Sequence, residues 1–378
     1  MLIRNALAFC DKSFRPDTDI RTENGVITEI GTGLPPLQDE LIYSAKGLYV
    51  LPGFVDVHIH GCHGYDVMKG ASDVQAMASS LIHEGVAAFL PTTMTASLTE
   101  TRNAVYGVHK AMSVQTNEQS HILGIHMEGP FLSPDKCGAQ DPALLCAPTT
   151  ENFLSCTGGL EGIVRVVTLA PELSGAEELT TFLSRKGIFV SAGHTNATAE
   201  QTHSFADLGL SRATHLFNAG PTLHHRQPGV VGAALTDSRI RCEMICDGIH
   251  LHPDTVRLIC TAKGSNGAIA ITDSMEAAGM PDGQYTLGGQ PVTVSNGQAR
   301  LYDGTLAGSV LQMKTAFHNL LSWGISPEDA IQICTSSPAD SIGVTDYGRI
   351  RPGNKGCLTV WDREWNMVNV IIPDSNAE

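Results

Sequence analysis

The sequence predicts an α/β protein, in which a (β/α)8 TIM-like barrel is joined to a small β-sandwich built from both chain ends. Two observations support this fold: eight apolar, β-rich runs alternate with helical segments mid-chain, and short alternating segments occupy the ends. Continuous apolar strands separated by helices are typical of parallel sheets, and eight such units close into a barrel. We expect residues 52–343 to form the barrel, and residues 1–51 plus 344–378 to form the sandwich.

The predicted barrel strands start 24 to 42 residues apart, and each ends in a small or polar turn. The runs are GFVDVHIH (53–60), AAFLPTT (87–93), HILGIHMEG (121–129), IVRVVTLAPE (163–172), GIFVSAGH (187–194), ATHLFNAG (213–220), RCEMICDGIH (241–250) and GAIAITDS (267–274). Segments with helical character fit between them, for example SDVQAMASSLIHEG (72–85) and GAEELTTFLSRKG (175–187). The alternation of the two patterns gives the barrel its predicted order of elements.

The chain ends carry shorter segments with glycine and asparagine turns, which are typical of β-hairpins. They are MLIRNALAF, DIRTENGVITEIG and KGLYVLPG near the N-terminus, and GRIRPGNKGCLTVWD and MVNVIIP near the C-terminus. Two separate modules of this size would each have a weak core. We therefore expect the two ends to pair with each other beside the barrel.

The composition excludes several classes of function. A net charge of −15 argues against binding to nucleic acid or to an anionic membrane surface. The N-terminus has no secretory signal pattern, and no run approaches the ~20 apolar residues of a membrane span. The 10 cysteines include no CxxC pair, so reduced core thiols are expected rather than a disulfide framework. We expect a cytoplasmic protein that acts on a small molecule.

Polar side chains collect where the predicted strands end, which is the functional face of a barrel. They are His58, His60, Glu128, His194, His215, His250 and Asp273. Side chains two apart on a strand face the same side, so His58 and His60 could bind one metal ion. Imidazole and carboxylate donors suit Zn²⁺ and Fe²⁺ better than Mg²⁺. The set is large enough for one or two ions, each of which could activate a water molecule.

Taken singly, each of these motifs has an ordinary structural interpretation. An HxH pair is a weak signal, and the glutamate of HMEGP could cap a helix. SAGHTNAT could be a helix start capped by Thr195 or Asn196, and Asp273 of ITDS could also be a cap. Together they fall on the predicted strand ends of one barrel, which favours a metal-dependent catalytic site.

A set of motifs in the expected order resembles the N-acetylglucosamine-6-phosphate deacetylases of the amidohydrolase superfamily. The motifs are PGFVDVHIHG, HMEGPF, SAGHTNAT, THLFNAG, HHRQPGVVGAAL, DGIHLHP, ITDSMEAAGMPDGQYTLGG and GTLAGSVLQM. The resemblance runs from about residue 50 to the C-terminus and is specific as a combination. It implies that Glu128, His194 and His215 hold the main divalent metal and that Asp273 is the general acid/base as well as a ligand. Because both His58 and His60 are present, a second ion bridged by Glu128 is expected, with zinc the first choice and iron the alternative.

The resemblance also implies a substrate pocket. Asn218, Ala219, Arg226 and His250 are expected to bind the sugar and its phosphate, with a neighbouring subunit of a homodimer completing the phosphate site. Leu306, Ala307 and Gly308 are expected to line the sugar site through their backbone. In KCGAQ, Ala139 and Gln140 stand where the family usually has alanine and histidine. Gln140 can still donate from its amide but cannot carry charge.

The predicted reaction is hydrolysis of N-acetylglucosamine 6-phosphate to glucosamine 6-phosphate and acetate, with a metal-bound hydroxide as nucleophile. Three alternatives stay open. The same chemistry could act on N-acetylgalactosamine 6-phosphate. A different amidohydrolase, such as a cyclic-amide hydrolase or a deaminase, is less favoured because the fourth strand lacks the lysine that bridges two metals in many cyclic-amide hydrolases. An inactive sugar-phosphate sensor or scaffold should have lost ligands that this chain keeps.

Overall fold

The computed structural model describes residues 1–372. Its strands are β1 (Leu2–Cys10), β2 (Ser13–Glu23), β3 (Val26–Gly31), β4 (Ile42–Ser44), β5 (Tyr49–Pro52), β6 (Phe54–Ile59), β7 (Gly61–Cys62), β8 (Tyr65–Asp66), β9 (Val86–Thr93), β10 (His121–Ile122), β11 (Ile125–Glu128), β12 (Val164–Leu169), β13 (Phe189–Ala192), β14 (Leu210–Ala213), β15 (Arg241–Ile245), β16 (Ala268–Ile271), β17 (Gly283–Leu287), β18 (Gln290–Ser295), β19 (Gln298–Arg300), β20 (Leu358–Trp361) and β21 (Met367–Ile371). Its α-helices are α1 (Ala71–Leu81), α2 (Leu98–Met112), α3 (Thr150–Thr157), α4 (Ala176–Arg185), α5 (Ala199–Leu208), α6 (Gly229–Thr236), α7 (Pro253–Gly267), α8 (Met313–Ser322), α9 (Pro327–Cys334) and α10 (Ser336–Ser341). Within these residues, no helix is long and apolar enough to cross a membrane.

The predicted barrel is present. Within residues 1–372, eight parallel strands follow one another in the order β6, β9, β11, β12, β13, β14, β15, β16. Hydrogen bonds between β6 and the residues directly after β16 join the first and last strands. The Asp273 amide donates to the His58 carbonyl at 2.9 Å, and the Asp56 carboxylate accepts the Thr272 hydroxyl at 2.5 Å. The barrel is therefore nearly closed, and buried apolar side chains of its strands and helices form one large core.

The observed strands are mostly shorter than the predicted runs, and two of them differ more than the others. The sixth begins earlier, because Gly209 ends α5 in a left-handed conformation and Leu210–Ala213 then forms β14. Most of ATHLFNAG is therefore the loop after the strand. The third run is split between β10 and β11 at Gly124, whose φ of 137° lies outside the strand region.

Helices α1 and α4 confirm the two predicted helical segments. The helix after SAGHTNAT begins at Ala199, and its N-cap is Thr198. The Thr198 hydroxyl accepts from the backbone amide of Gln201, and the side-chain oxygen of Gln201 accepts from the backbone amide of Thr198. This capping box supplies the cap, so Thr195 and Asn196 are not the N-cap residues. They lie in the loop at the end of the fifth barrel strand, where His194 is held.

The two chain ends pair as predicted. Among the described residues, seven strands form one sheet in the order β21, β20, β5, β1, β2, β3, with β4 also paired to β1. Strand β20 runs antiparallel to β5, which joins the C-terminal segment to the N-terminal one. Buried apolar side chains, including Ile3, Ile20 and Val360, form its separate core. The exact domain bounds stay a prediction, and residues 373–378 of the predicted end module lie outside the described residues.

A further sheet, absent from the sequence prediction, follows the eighth barrel strand. Strands β17, β18 and β19 form an antiparallel meander between residues 283 and 300. Its turns use residues with positive φ, Gly288 with Gly289 and Asn296 with Gly297, which match the two-residue hairpin turns that such pairs favour. Its apolar face packs on Met94 and Met275 beside the barrel opening. This inserted sheet covers one side of the site described next.

Candidate active site

A cavity of about 380 Å³ opens at the carboxyl ends of the barrel strands. Its wall is formed by barrel-end side chains, by the loop around residue 140 and by the inserted sheet. The lining residues are His60, Met94, Glu128, Gly138, Ala139, Gln140, His194, His215, Asn218, Ala219, Ile245, His250, Asp273, Leu287, Arg300, Thr305, Leu306 and Gly308. Most of the residues proposed from sequence therefore meet in one place, although they come from distant parts of the chain.

One group of possible metal ligands consists of Glu128, His194 and His215. The Nε2 atoms of His194 and His215 lie 3.0 Å apart, and Glu128 Oε1 lies 3.0 Å from His215 Nε2 and 3.3 Å from His194 Nε2. All three side chains are buried. Converging nitrogen and carboxylate donors of this kind fit a divalent metal such as zinc or iron.

A second group consists of His58, His60 and Asp273. Asp273 Oδ1 lies 3.1 Å from His60 Nε2 and 3.5 Å from His58 Nε2, and the two Nε2 atoms are 3.3 Å apart. Glu128 lies between the groups, with Oε1 3.3 Å from His58 Nε2 and Oε2 3.3 Å from His60 Nε2. The arrangement therefore offers donors for two neighbouring ions that share Glu128.

Acceptors behind the imidazoles orient three of the four rings. His60 Nδ1 donates to the Thr92 carbonyl at 3.1 Å, and His194 Nδ1 donates to the Lys136 carbonyl at 2.9 Å. His58 Nδ1 lies 3.0 Å from the Glu243 carboxylate. Each of these contacts leaves Nε2 as the nitrogen that faces the cluster, which is how proteins prepare histidine to bind metal. The Nδ1 of His215 has no hydrogen-bond partner among residues 1–372.

The cluster stabilises its own charges. Burial alone would raise the pKa of Glu128, but the surrounding imidazoles, His58 first, lower that pKa well below its usual range. Burial would likewise lower the pKa of His58, yet the carboxylates of Glu128 and Asp273 raise it well above the usual value. The carboxylates are thus held in the ionised form, in which they can bind metal or accept a proton.

A third group of possible ligands, made of His58, His126 and Glu243, lies deeper in the barrel. Both nitrogens of His126 are already engaged: Nδ1 donates to the Val57 carbonyl at 3.1 Å, and Nε2 accepts from the Thr168 hydroxyl at 2.8 Å. Burial lowers the pKa of His126 to about 3, so its ring is neutral. Glu243 is paired with Arg212. This group is therefore a hydrogen-bonded part of the barrel interior.

Three predicted site residues do not line the cavity. His58 is fully buried behind His60 and reaches the cluster only through Nε2. Ala307 is also fully buried and does not line the cavity, although its neighbours Leu306 and Gly308 do, so its backbone contact with the sugar stays a prediction. Arg226 lies on an exposed loop and donates to His225 Nε2 at 2.8 Å. Loops can carry a side chain away from the strand end that precedes it.

Gln140 lies against the metal-ligand cluster. Its amide nitrogen donates to Glu128 Oε2 at 2.7 Å, and its amide oxygen accepts from the Thr95 amide at 2.7 Å. The side chain is almost fully buried. Gln140 therefore holds the bridging carboxylate, a contact that the sequence did not indicate.

Several cavity residues were missed from sequence. Arg300 and Leu287 come from the inserted sheet, Thr305 from the loop that follows it, and Met94 from the end of the second barrel strand. The glycine and asparagine turns in GQYTLGGQPVTVSNGQAR could have revealed the sheet, but not that it faces the cavity. The guanidinium of Arg300 donates to the Gln298 side chain and the Gly304 carbonyl, and within residues 1–372 it has no carboxylate partner.

The backbone turns sharply where the ligands emerge. His194, His215 and Asp273 have φ values of 48°, 29° and 49°, and Ala219 has 47°. Asparagine, aspartate and histidine adopt this region more often than other non-glycine residues, and holding a residue such as Ala219 there costs about 1–3 kcal/mol. Neighbouring hydrogen bonds hold the turn at Asp273: its amide donates to His58, and its carbonyl accepts from Ser309 at 2.7 Å. These turns aim the side chains into the cavity.

Comparisons with known proteins agree with this geometry. The Amidohydrolase family matches residues 49–376. The chain is 36% identical to N-acetylglucosamine-6-phosphate deacetylase of Bacillus subtilis (strain 168), over 98% of this chain and 95% of that protein. It is 34% identical to N-acetylgalactosamine-6-phosphate deacetylase of Escherichia coli O157:H7, over 96% and 95%.

Solved structures extend the likeness to three dimensions. An N-acetylglucosamine-6-phosphate deacetylase from Thermotoga maritima superposes with a TM-score of 0.89 at 33% identity, covering 99% of this chain and 98% of that one. A single-site mutant of the Mycobacterium smegmatis enzyme, in complex with N-acetyl-D-glucosamine-6-phosphate, superposes with a TM-score of 0.90 at 31% identity, covering 98% of this chain and 97% of that one. The chain therefore belongs to the amidohydrolase family, and within it to the N-acetylglucosamine-6-phosphate deacetylases and their close relatives.

Proposed function

We propose that this chain removes the acetyl group from an N-acetylhexosamine 6-phosphate, with N-acetylglucosamine 6-phosphate as the first candidate. It is a hydrolase that acts on an amide, and the products are glucosamine 6-phosphate and acetate. The observation that carries the proposal is the placement of Glu128 between two groups of metal ligands on the wall of one cavity. The Bacillus subtilis and Thermotoga maritima relatives support the same reaction.

Glu128, His194 and His215 would hold one divalent ion, and His58, His60 and Asp273 would hold a second beside it. We propose zinc, with iron as the alternative, because imidazole and carboxylate donors suit both. When bound, such ions lower the pKa of water and polarise the acetyl carbonyl. The remaining steps belong to the side chains of the protein.

Asp273 is the proposed general acid/base. The contacts of His58 and His60 lower the pKa of its carboxylate against the effect of burial, so the side chain is ionised and can accept a proton. It takes the proton of the attacking water on a carboxylate oxygen. It then gives that proton to the amide nitrogen as the bond between this nitrogen and the acetyl carbon breaks. Hydrogen bonds on both sides of its backbone keep the carboxylate in place.

His250 is the proposed phosphate contact within the subunit. Its Nδ1 is held 2.7 Å from Asp247 Oδ2, and its backbone amide donates to Asp247 Oδ1 at 2.8 Å. The other nitrogen is therefore free to reach substrate in the cavity. Asn218 and Ala219 line the same cavity. These side chains would fix the sugar so that its acetamido group meets the cluster.

Arg226 would reach the phosphate only from a second subunit. It lies on an exposed loop outside the cavity of its own chain, next to Leu223, which is 40% exposed. We propose a homodimer in which this loop completes the partner's phosphate site. A guanidinium is well suited to this task because its donors form a fork that matches phosphate oxygens.

A second candidate substrate is N-acetylgalactosamine 6-phosphate. The relative from Escherichia coli O157:H7 is named for that activity and is 34% identical over nearly the whole chain. The two sugars differ in the orientation of one hydroxyl group, and the proposed metal and proton-transfer residues serve either sugar. The contacts that decide between them would be made by cavity residues away from the acetamido group.

We also propose a cytoplasmic location. All 10 cysteines are free thiols in the structure, most of them buried in the core. Reduced thiols are expected in a compartment kept reducing by cellular thiol systems. The proposal can be checked by fractionating cells that express the full chain.

The deciding experiment measures acetate release by the metal-loaded protein. N-acetylglucosamine 6-phosphate and N-acetylgalactosamine 6-phosphate are compared, with the unphosphorylated sugars as controls. Rapid release from a phosphorylated sugar, and a much higher KM for its unphosphorylated form, would support the proposal and identify the preferred hexose. Failure to release acetate from any of them, while metal is bound, would refute it in favour of a sugar-phosphate sensor.

A further inference from the structure

A buried chain of polar side chains runs from the outer helices to His58. Ser341 on α10 contacts Arg212 on β14, Arg212 contacts Glu243 on β15, and Glu243 contacts His58 on β6. Arg212, Glu243 and His58 are completely buried, and Ser341 is 2% exposed. The proposed reaction does not use Ser341, Arg212 or Glu243 directly. Their role has to be found in what they do to His58.

Glu243 divides its two oxygens between different tasks. Oε1 accepts from the guanidinium of Arg212, while Oε2 lies 3.0 Å from His58 Nδ1 and 3.3 Å from the backbone amide of His215. A carboxylate paired with a guanidinium only accepts hydrogen bonds, so His58 Nδ1 must carry the hydrogen. When the ring gives up its other proton to bind metal, the lone pair of His58 is therefore on Nε2, which faces Glu128, His60 and Asp273. The contact with the His215 amide also ties the loop that carries a ligand of the first group.

The ion pair of Arg212 with Glu243 is a poor choice for stability alone. Removing two charges from water costs more than their attraction commonly returns, and apolar side chains of similar size often replace buried pairs without loss. This pair stands directly behind one ligand of the proposed second ion. A carboxylate that accepts from the outer nitrogen of a metal-binding histidine fixes the ring and raises its basicity.

We infer that Glu243, held by Arg212, is a positioning residue that prepares His58 for the second metal ion. The second ion is the one bound by His58, His60 and Asp273 next to Glu128. The inference rests on the proposed function for the identity of the site. According to this inference, the buried ion pair of Arg212 and Glu243, on two neighbouring barrel strands, controls whether the enzyme binds one ion or two.

The test counts ions and measures their affinities instead of relying on turnover. The metal-free protein is titrated with Zn²⁺ against a competing chelator, and bound zinc is quantified per subunit. Two variants are compared with wild type. The double variant Arg212→Met/Glu243→Leu removes the acceptor without leaving a lone buried charge, and Glu243→Asp keeps the charge but withdraws the carboxylate by one methylene.

We expect wild type to bind two ions. The double variant should bind the first with unchanged Kd and the second about 10–100-fold more weakly, with Glu243→Asp between the two. The matched control is Arg21→Met/Glu40→Gln, which removes a largely buried ion pair of the terminal sheet that touches no ligand. It should bind both ions like wild type, which would show that loss of a buried pair is not in itself the cause.

Two results would overturn the inference. One is a folded double variant that binds the second ion with an unchanged Kd. If circular dichroism shows that the double variant does not fold, the same result in Glu243→Asp would overturn the inference. The other is a wild-type protein that binds a single ion at every zinc concentration. If that single-ion protein still releases acetate, the proposed function stands while the inference falls. If two ions bind and no acetate appears, the proposed function fails, and the variants still decide the role of Glu243.

Discussion

The barrel opening and the terminal sheet use the same unusual backbone conformation with different residues. Both regions contain non-glycine residues at positive φ. In the terminal sheet most of them are the tolerant types, Asn5, Asp11, Asp17 and Asn24. At the barrel opening they include bulkier or less tolerant residues, namely His194, His215, Phe217 and Ala219. Asparagine and aspartate adopt this region at low cost and histidine does so more readily than most residues, so the strain at the opening lies mainly at Phe217 and Ala219.

The two regions also bury different side chains. The core of the terminal sheet consists mainly of apolar side chains, with Ile20, Leu358 and Val360 fully buried, and its largely buried ion pair of Arg21 with Glu40 touches no metal ligand. The barrel opening buries His58 and Glu128 beside one another, which costs free energy unless the charges are mutually satisfied. This difference indicates that the barrel opening is arranged for chemistry at some loss of stability. The terminal sheet, in contrast, contributes stability and no reacting group. The predictions below test that division.

The largest effect is expected from Asp273→Asn at the opening. Asparagine fills the same space but cannot take the proton of the attacking water, so turnover should fall about 10²–10⁴-fold. The ion held by Glu128, His194 and His215 and the thermal stability should remain close to wild type, whereas the second ion, of which Asp273 is a proposed ligand, should bind more weakly. Steady-state kinetics and metal analysis would measure both. Turnover near wild type would remove Asp273 from its proposed role.

Leu358→Ala in the terminal sheet is expected to lower stability and leave turnover unchanged. Leu358 is fully buried on β20, and its truncation leaves a cavity that should lower the free energy of unfolding by about 2–5 kcal/mol. The turnover of the folded protein at low temperature should not change. Denaturant unfolding and acetate release provide the two measurements. The control is Val368→Ala, which truncates a half-exposed side chain on the adjacent strand and should have little effect on either. A large loss of turnover in folded Leu358→Ala would contradict the claim that the terminal sheet contributes only stability.

An intermediate effect is expected from Arg300→Met in the inserted sheet. Arg300 lines the cavity without a carboxylate partner among the described residues, so its spare donors are available to an anionic substrate. Loss of one charge-assisted contact should raise KM for the phosphorylated sugar about 10-fold and leave kcat nearly unchanged. The unphosphorylated sugar should show no such change. Arg363→Met is the control, because Arg363 bonds a backbone carbonyl of the terminal region, far along the chain from the cavity residues. An unchanged KM would exclude Arg300 from substrate binding.

The smallest effects are expected from a pair of glycine substitutions, Ala219→Gly at the opening and Lys12→Gly in the terminal sheet. Both residues have positive φ, 47° and 68°. Glycine relieves the strain but gains freedom in the unfolded chain, so each should change the free energy of unfolding by less than about 1 kcal/mol. Only Ala219→Gly should also change KM, because Ala219 lines the cavity. A KM change from Lys12→Gly would contradict the separation of the two regions.

Much of this molecule could be predicted from local patterns. Apolar runs identified every barrel strand, although the sixth was placed a few residues late, and the pairing of the chain ends followed from their size. The six proposed metal ligands meet as the rule for strand ends predicts. The inserted sheet is not predicted, because its glycine and asparagine turns do not show by themselves that three short strands pair beside the barrel opening. Arg300 and Thr305 were missed with it.

Local sequence patterns were enough to predict the type and order of the barrel elements and the identity of the residues at their strand ends. These depend on side-chain periodicity and turn residues, which act over a few positions. Only the tertiary structure decided that Gln140 holds Glu128, that Glu243 stands behind His58, and that Arg226 lies outside its own cavity. The physical reason is distance: hydrogen bonds are made within about 3 Å. Which of two partners far apart in the chain come that close is set by how the strands are registered and how the loops fold over them.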